Sequence, residues 1–179
     1  MSKAGNAGIE MAANEKLFVV MLGGTHPKAR VELHDVAFAI GDTLESTYPQ
    51  LRAQWFGEPR GAHVDSWMEV DGVDGWQVRF SDAPPPAGSP KLFFVNLGGY
   101  EKGVFGEAHA YLLVVAGDAA DAKAKGKARA DAGWMLPHKD ALYGVDDCIP
   151  VEVAGGRHVT LVEGPHAGIA YHSDYLVIS

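Results

Sequence analysis

The sequence predicts an α+β fold in which two tandem β-β-α-β-β repeats pack about a pseudo-two-fold axis as one domain, with a mainly antiparallel sheet and helices on one face. Three features predict it: a nine-residue segment that occurs twice, apolar runs of strand length, and turn residues between those runs. The chain has 179 residues and 47% of them are hydrophobic, which is sufficient for one continuous core.

The repeated segment is Lys16–Gly24, which recurs as Lys91–Gly99 with seven of nine residues identical, at a spacing of 75 residues. The same spacing carries Glu32-Leu33-His34 onto Glu107-Ala108-His109. A segment that recurs at a fixed spacing indicates a duplicated structural unit. A unit this small buries too little apolar surface to be stable alone, so we expect the two copies to share a core.

The spacing grows to 81 near the end of each copy, where Val73–Val78 aligns with Ala154–Val159. An insertion therefore lies between the two alignments, and its position is ambiguous. The segment His63-Val64-Asp65 aligns with His138-Lys139-Asp140 at the shorter spacing, whereas its last two residues align equally with Val145-Asp146 at the longer one.

Each copy begins with two predicted strands. The runs Leu17–Leu22 and Leu92–Leu97 are apolar at nearly every position, which in so short a run indicates a strand covered on both faces. A Gly-Gly pair follows each run, and the chain then returns through Val31–Ile40 or Glu107–Val115, most simply as an antiparallel hairpin.

A helix is predicted next in each copy. Asp42 and Asp118 are suited to cap its N-terminus, and an acidic residue follows each of them three positions later. Pro49 is expected to interrupt the first helix or to begin a second one, and Gly126 weakens the helix of the second copy. We therefore expect both helices to be short or imperfect and to depend on packing for their stability.

A second hairpin closes each copy, with turns at Val73-Asp74-Gly75 and Ala154-Gly155-Gly156. The predicted boundaries follow from these elements. A flexible leader at 1–14 precedes a single domain at 15–179, which consists of repeat 1 at 16–82, a proline-rich connector at 83–90, repeat 2 at 91–163 and a C-terminal strand at 166–179.

The charge and the cysteine content exclude several classes of partner and site. A formal net charge of −8 repels nucleic-acid phosphates and anionic lipid, so neither nucleic acid nor a membrane is expected as a partner. Cys148 is the only cysteine, which rules out an internal disulfide and a thiolate zinc site within one chain. No secretory signal and no apolar run of membrane-spanning length is recognisable, so we expect a cytoplasmic protein.

The main candidate site is the Glu-x-His pair of both copies, at Glu32 and His34 and again at Glu107 and His109. Side chains alternate along a strand, so each pair shares a face with the bulky apolar residues that follow it. Polar groups at the edge of a buried face need partners, which are each other, the backbone or a ligand. The glycines of the two Gly-Gly pairs would let a ligand approach the backbone closely: Gly23, Gly24, Gly98 and Gly99.

Three interpretations of these pairs stay open. In the first, Glu and His hydrogen-bond to one another or to the backbone and are purely structural. In the second, Glu32, His34, Glu107 and His109 meet across the pseudo-axis as four ligands of a divalent transition metal. In the third, the same residues and the Gly-Gly pairs line a polar pocket for a small organic ligand.

Three His-x-Asp pairs are further candidates: His63 with Asp65, His138 with Asp140, and His172 with Asp174. In an extended segment, each pair shares one face and would provide a base with an orienting carboxylate. An exposed strand edge explains each pair as well, and we favour that explanation.

Several segments resemble a known bacterial family. They are the Leu-Phe-Val-Val-x-Leu-Gly-Gly opening, Glu32–Val36, Thr47–Leu51, His63–Trp67 and Val73–Gly75. From Lys16 to about Glu163 the chain is similar to the proteins catalogued as domain of unknown function fifteen forty-three, also in length and in carrying the motif twice. The resemblance implies a bacterial cytosolic protein and a duplication, and it implies no activity, cofactor or catalytic residue.

The sequence therefore predicts a non-enzymatic binding protein, with a polar pocket near Glu32, His34, Glu107 and His109 for a small molecule or a protein partner. The alternative is a divalent-metal-dependent hydrolase in which the same four residues hold a metal that polarises water. A second alternative is a structural or assembly protein whose unpaired edge strands recruit another copy, which leaves oligomerisation open.

Overall fold

The computed structural model describes residues 15–100, 103–131 and 143–179. Its elements are, in chain order, β1 (Lys16–Gly24), β2 (Leu33–Gly41), a 3-10 turn (Glu45–Thr47), α1 (Tyr48–Gln54), β3 (His63–Val70), β4 (Gly72–Val73), β5 (Trp76–Ser81), β6 (Lys91–Gly99), β7 (Ala108–Ala116), α2 (Ala119–Asp131), β8 (Tyr143–Pro150), β9 (Val153–Ala154), β10 (Arg157–Glu163) and β11 (Ile169–Val177).

The strands form three sheets, and every strand pair among the described residues is antiparallel. The first sheet has the order β11-β3-β1-β2 and the second has the order β7-β6-β8. A third, shared sheet has the order β4-β5-β10-β9 and joins one hairpin from each half of the chain. The fold is thus α+β, with mostly antiparallel strands and two helices.

The first and second sheets have matching strand registers. Lys16 pairs with Gly41 in the first sheet, and Lys91 pairs with Ala116 in the second, so both partners keep the spacing of 75. Each central strand also faces a β-bulge: the register shifts between Met21 and Leu22 in β1, and between Asn96 and Leu97 in β6.

The bulges decide between the two alignments of the third strand. The bulged residue is Asp65 in β3, between the partners of Met21 and Leu22, and it is Asp146 in β8. Asp65 and Asp146 therefore correspond, which is the alignment at the longer spacing. His138 and Asp140, the partners in the other alignment, lie outside the described residues.

An inner core lies where the three sheets meet, because alternate side chains of the central strands point to it. Each fully buried aliphatic or aromatic side chain contributes roughly 1.5–3 kcal/mol through burial. The buried members of this inner core are Leu17, Val19, Ile40, Val70, Val73, Val78, Leu92, Phe94, Leu113, Val115, Val151, Ala154 and Val159.

Each helix covers a different sheet, on the face turned away from the inner core. The expectation of helices on one face is therefore wrong. Leu51 of α1 packs on Phe18 and Val20 of the first sheet, whereas Ala122 of α2 packs with Phe93 and Val95 of the second. The physical reason lies in the central strands, which are apolar on both faces. The inner core buries one face of each sheet, so each sheet needs a helix of its own on the other.

The helix starts differ in part from those predicted. Asp118 caps α2 as expected, because its Oδ1 accepts a hydrogen bond from the backbone N–H of Asp121 (2.9 Å). The prediction of Asp42 as a cap is wrong, since the neighbouring Thr43 accepts a hydrogen bond from the backbone N–H of Ser46 through its Oγ1 (3.3 Å). Pro49 lies in the first turn of α1, directly after the 3-10 turn, and thus begins a second helical segment.

The helix α2 continues through Gly126, where the sequence predicts a weak point. A Cβ at this position would lie 2.9 Å from Cγ1 of Val95 in the sheet beneath. The glycine is therefore required for close packing of helix on sheet, and that packing offsets its low helix propensity of about 1 kcal/mol.

The hairpin of each half reaches across to the other half. The turn of the first hairpin contains Asp74 and Gly75 with φ values of 57° and 84°, and Asp74 Oδ2 accepts a hydrogen bond from the backbone N–H of Val115 (2.9 Å). In the second hairpin, Gly155 lies against Gln50. Both turns lie where the sequence predicts them, whereas their exchange between halves was not foreseen.

The C-terminal strand β11 follows the second half in sequence but pairs with β3 of the first sheet. The first sheet therefore has four strands and the second has three among the described residues. No helix in the described part of the chain is both long and apolar enough to cross a membrane.

Asp74→Ala should lower the free energy of unfolding by roughly 1–3 kcal/mol, because the backbone N–H of Val115 and the guanidinium of Arg129, 2.5 Å from Asp74 Oδ1, both lose their acceptor. The midpoint of urea denaturation measures this change. Asp121→Ala is the matched control, since its carboxylate pairs with Lys125 on the helix surface and should matter much less. Equal effects of the two substitutions would contradict the role of the crossed hairpin.

Candidate functional site

The candidate site lies at the glycine end of β1, on the face that the inner core occupies further along. Gly23 pairs with His34 of β2 on one side and with His63 of β3 on the other. Paired residues of antiparallel strands share a face, so both imidazoles flank Gly23. Glu32 immediately precedes β2 and completes the Glu-x-His pair on the same side.

The bulge in β3 adds Asp65 to this group. Asp65 is the extra residue of this bulge and is left without a strand partner. Its carboxylate contacts both imidazoles. Glu32, His34, His63 and Asp65 are named the first cluster below.

Four short distances join the members of the first cluster. His34 Nε2 lies 3.2 Å from Asp65 Oδ2 and 3.9 Å from Glu32 Oε2. His63 Nε2 lies 3.2 Å from Glu32 Oε1 and 3.4 Å from Asp65 Oδ1. Each imidazole therefore faces both carboxylates through its Nε2 atom.

His63 is the buried member of the cluster, with a relative exposure of 1%. Its Nδ1 lies 2.8 Å from the carbonyl oxygen of Gly61. A carbonyl only accepts hydrogen bonds, so Nδ1 carries a proton and Nε2 is the atom that faces the carboxylates. Within the described part of the chain, this Nε2 and Asp65 Oδ2 are buried and make no hydrogen bond.

Gly23 leaves room for this cluster. A Cβ at this position would overlap His63 Nε2 and would lie 2.6 Å from Asp65 Oδ2. The first glycine of the pair is thus required by the side chains around it. Gly24 points to the other face, where a Cβ would lie 2.8 Å from Cζ2 of Trp55, so its role is packing.

The C-terminal strand covers one side of the first cluster. Its register with β3 shifts between Ser173 and Leu176, opposite the bulge in β3. In this shifted segment the ring of Tyr175 lies on His63, with 4.3 Å between the ring centroids. The exposed tyrosine therefore forms an outer wall against the buried imidazole.

A second cluster, Glu107, His109 and Asp146, lies at the corresponding place in the second sheet. One ligand atom from each of the three residues lies within 4.8 Å of the other two. His109 Nδ1 is 3.6 Å from Asp146 Oδ2, and His109 Nε2 is 4.0 Å from Glu107 Oε2. All three side chains are at least partly exposed, so this cluster is more accessible to water than the buried His63 of the first.

Two further contacts shape the second cluster. Asn96 Oδ1 lies 3.2 Å from His109 Nδ1, and the Tyr100 hydroxyl donates a hydrogen bond to Glu107 Oε2 (3.3 Å). The negative charge of Glu107 raises the pKa of Tyr100. A Cβ at Gly98 would overlap Asp146 Oδ2 and lie 2.5 Å from Glu107 Oε1, so Gly98 has the role that Gly23 has in the first cluster.

The second cluster has no counterpart of the buried imidazole of His63. The partner of Gly98 in β8 is Gly144, whereas the partner of Gly23 in β3 is His63. Among the described strands, β8 also pairs with β6 alone, so no strand covers it as β11 covers β3. The second cluster therefore lacks both the buried ligand and its outer wall.

The four Glu and His residues predicted from the sequence belong to two groups. Glu32 and His34 make their ion pairs with His63 and Asp65, and Glu107 and His109 make theirs with Asp146 or each other. No ion pair or hydrogen bond between described residues joins one pair to the other. Gly99 pairs with Ala108 and Tyr143 at the end of β6.

The sequence analysis did not place His63 and Asp65 among the main site residues, and it gave Asp146 no role in a site. The first two were noticed as a His-x-Asp pair, but an exposed strand edge was the favoured explanation. His63 is in fact buried, because a bulge and a fourth strand lie beside it. The other described pair fits the structural explanation better, since the ring of His172 stacks on Trp67 with 4.9 Å between centroids.

A cleft of about 460 Å³ lies between the inner faces of the first and second sheets. Met21 and Val36 line it on the first sheet, and these are the next residues along the same face from Gly23 and His34. His109 of the second cluster lines the opposite wall. The second cluster therefore borders this cleft through His109, and the first cluster lies one paired position beyond the cleft residues Met21 and Val36.

The donor set of the first cluster suits a divalent transition metal. Two imidazole nitrogens and two carboxylates are ligands that Zn²⁺ and similar ions accept. Bonds of about 2.0–2.1 Å at tetrahedral angles put neighbouring ligand atoms about 3.3 Å apart. The contacts of 3.2, 3.2 and 3.4 Å are close to that separation, but the two imidazoles contact different oxygens of each carboxylate, so a bound ion would draw one oxygen of each carboxylate toward it.

The chain is similar to a known protein family and to a solved protein structure. Residues 29–80 match the family model described as "Domain of Unknown Function (DUF1543)". The crystal structure of a protein Il1583 from Idiomarina loihiensis is similar with 31% sequence identity and a TM-score of 0.71, over 92% of this chain and 98% of that one. No curated protein matches the chain. The residues matched by the family model include all four members of the first cluster and none of the second.

Gly23→Ala should lower the free energy of unfolding by roughly 1–3 kcal/mol, because the added methyl group overlaps a buried imidazole whose position the Gly61 carbonyl fixes. Gly117→Ala is the matched control, since a Cβ there meets no atom within 4 Å. Thermal denaturation of both variants measures the difference. A Gly23→Ala variant as stable as the Gly117→Ala variant would contradict the close packing of the first cluster.

Proposed function

The chain belongs to the family described as Domain of Unknown Function (DUF1543), and from this premise we propose that it is a divalent-metal-binding protein whose metal is held by Glu32, His34, His63 and Asp65. The site differs from the one predicted from sequence, because two ligands come from β3 instead of from the second Glu-x-His pair. Glu107 and His109 then belong to a second, weaker site together with Asp146.

The buried Nε2 of His63 carries this proposal. This atom is buried, makes no hydrogen bond and lies 3.2 Å and 3.4 Å from one oxygen of Glu32 and one of Asp65, and a cation bound among the three would give each of them a partner. The hydrogen bond from Nδ1 to the Gly61 carbonyl has the form that metal-bound histidines use, because it fixes both the tautomer and the orientation of the ring.

The exposure of the other ligands favours a site with access for an outside molecule. The side chains of Glu32 and His34 are 46% and 48% exposed, whereas that of His63 is 2% exposed. A closed structural site would bury all its ligands. When bound, the metal supplies Lewis acidity at this open side, which is compatible with metal-dependent hydrolysis as the enzymatic form of the proposal.

The pocket predicted between the halves remains the second candidate function, and the cleft supports it. Its volume of about 460 Å³ lies within the range of small-ligand sites. A duplicated origin with a pseudo-two-fold arrangement is part of the same proposal. The matching registers, the two bulges and the exchanged hairpins support it.

His63→Ala should abolish tight binding of Co²⁺ or Zn²⁺ at the first cluster, with a loss of affinity of about a hundredfold or more, because the one buried ligand is removed. Protein purified without a histidine tag and stripped with a chelator is titrated calorimetrically with Zn²⁺, and the visible spectrum of Co²⁺ reports its coordination.

The matched control is His109→Ala, which removes the imidazole of the second cluster. The tight binding step should persist in this variant and only a weaker step should disappear. An unaltered tight step in His63→Ala, or no stoichiometric binding by the unmodified protein, would refute the proposed function.

Gly144→His should convert the weak second cluster into a tighter site and add one tightly bound equivalent of metal. Gly144 corresponds to His63, its φ is not in the left-handed region, and the nearest atom to an added Cβ is Asp146 Oδ1 at 3.9 Å. The new imidazole therefore has space beside the carboxylate. Metal analysis after gel filtration measures the stoichiometry, and Gly117→His serves as the control for an added exposed histidine.

A further inference from the structure

We infer that the cleft between the first and second sheets holds the apolar, ring-containing body of a small molecule, whose oxygen head group binds the metal of the first cluster. This inference rests on the proposed function, because the head group needs the metal. It assigns a ligand class to a cleft whose lining residues Met21 and Val36 are two residues along their strands from Gly23 and His34.

The position of the cleft relative to the first cluster follows from strand register. Met21 and Val36 line the cleft, and Gly23 and His34 of the cluster region are the next paired residues on the same face. Two residues along a strand span about 7 Å. A molecule of two or three bonded groups therefore reaches from the metal ligands into the cleft.

The second sheet presents parallel aromatic rings to the cleft. The rings of Phe94 and Tyr111 stack with 5.6 Å between centroids and an angle of 19°. Tyr111 and His109 follow with 6.4 Å and 9°. Burial raises the pKa of Tyr111, so its hydroxyl stays neutral at physiological pH. A wall of aromatic side chains favours a planar apolar group, which can pack against ring edges or faces.

The opposite wall is mainly apolar, with Ser66, His172 and Ser173 as its polar members, and it is adaptable. Met21 and Met68 line it, and their thioethers make favourable contacts with aromatic rings. The cleft residues in the described part of the chain include no Lys, Arg, Asp or Glu. A charged ligand body would therefore lose its hydration without compensation, and any charge on the ligand belongs at the metal end.

Tyr171 of β11 lines the cleft from the edge of the first sheet and is 66% exposed. An exposed aromatic side chain on an edge strand can be removed without creating an internal cavity, which makes it the most informative residue to change. Trp67 is a poorer choice, because its ring packs on the outer core beneath α1.

The inference is tested with hydroxamates, which bind divalent metals through two oxygens. Benzohydroxamate, acetohydroxamate and benzamide are titrated calorimetrically into the Zn²⁺-loaded full chain. Benzohydroxamate has both ring and head group, acetohydroxamate lacks the ring and benzamide lacks the chelating group. We expect benzohydroxamate to bind about tenfold tighter than acetohydroxamate, because the cleft buries its ring, and we expect benzamide to bind most weakly.

Variants then locate the ring. Tyr171→Ala should reduce the affinity for benzohydroxamate several-fold and leave that for acetohydroxamate unchanged, and Tyr171→Phe should restore the ring-dependent gain. Phe56→Ala is the control, since Phe56 is 53% exposed and packs on Trp55 away from the cleft. Benzohydroxamate affinity in this control should equal that of the unmodified protein.

The outcomes separate the two proposals. If Zn²⁺ binds with the expected dependence on His63 but the two hydroxamates bind equally, the metal site stands and the ligand class is wrong. A ring-dependent gain that Tyr171→Ala leaves intact also overturns the inference, because the ring then lies elsewhere. If the protein binds no Zn²⁺, both proposals fail.

Discussion

The pairing of β5 with β10 is the constraint on which the rest of the structure depends. These two strands come from different halves of the chain, and their registered pairing from His158 with Ser81 to Glu163 with Trp76 forms the middle of the shared sheet. Because of this pairing, the inner faces of the first and second sheets meet over one core. The cleft is the part of that interface which the core side chains do not fill, and His109 of the second cluster lies in its wall.

The site itself depends on a local irregularity in β3. The bulge adds Asp65 between the partners of Met21 and Leu22, next to the pairing of His63 with Gly23. The Asp65 carboxylate lies against both imidazoles, and the absence of a side chain on Gly23 leaves the space that these groups occupy. The cluster therefore combines an extra residue in one strand with a missing side chain in the next.

Much of the local structure could be predicted from the sequence. Short runs apolar on both faces indicated β1 and β6, and glycine or aspartate turns indicated both second hairpins, because these signals act within a few residues. The prediction that Glu32 and His34 share a face with Val36 and Phe38 also agrees with the inner core. What the sequence did not reveal involves residues far apart in the chain.

The destination of β11, the exchange of hairpins and the bulge at Asp65 all depend on pairings between distant segments, for which local propensity carries no signal. The alignment of Asp65 with Asp146 was considered, but only the strand registers could select it. The burial of His63 was unpredictable for the same reason, since the wall beside it comes from Tyr175 near the other end of the chain.

The late origin of that wall has a consequence for synthesis in the cell. The first sheet contains the first cluster, yet its outer strand β11 follows every other described element in the chain. A ribosome releases residues in order, and early segments begin to fold before later ones exist. The nascent first half therefore waits with one edge of strand β3 unpaired and the imidazole of His63 uncovered until β11 has left the ribosome. Any metal loading that depends on the finished site then follows the synthesis of β11.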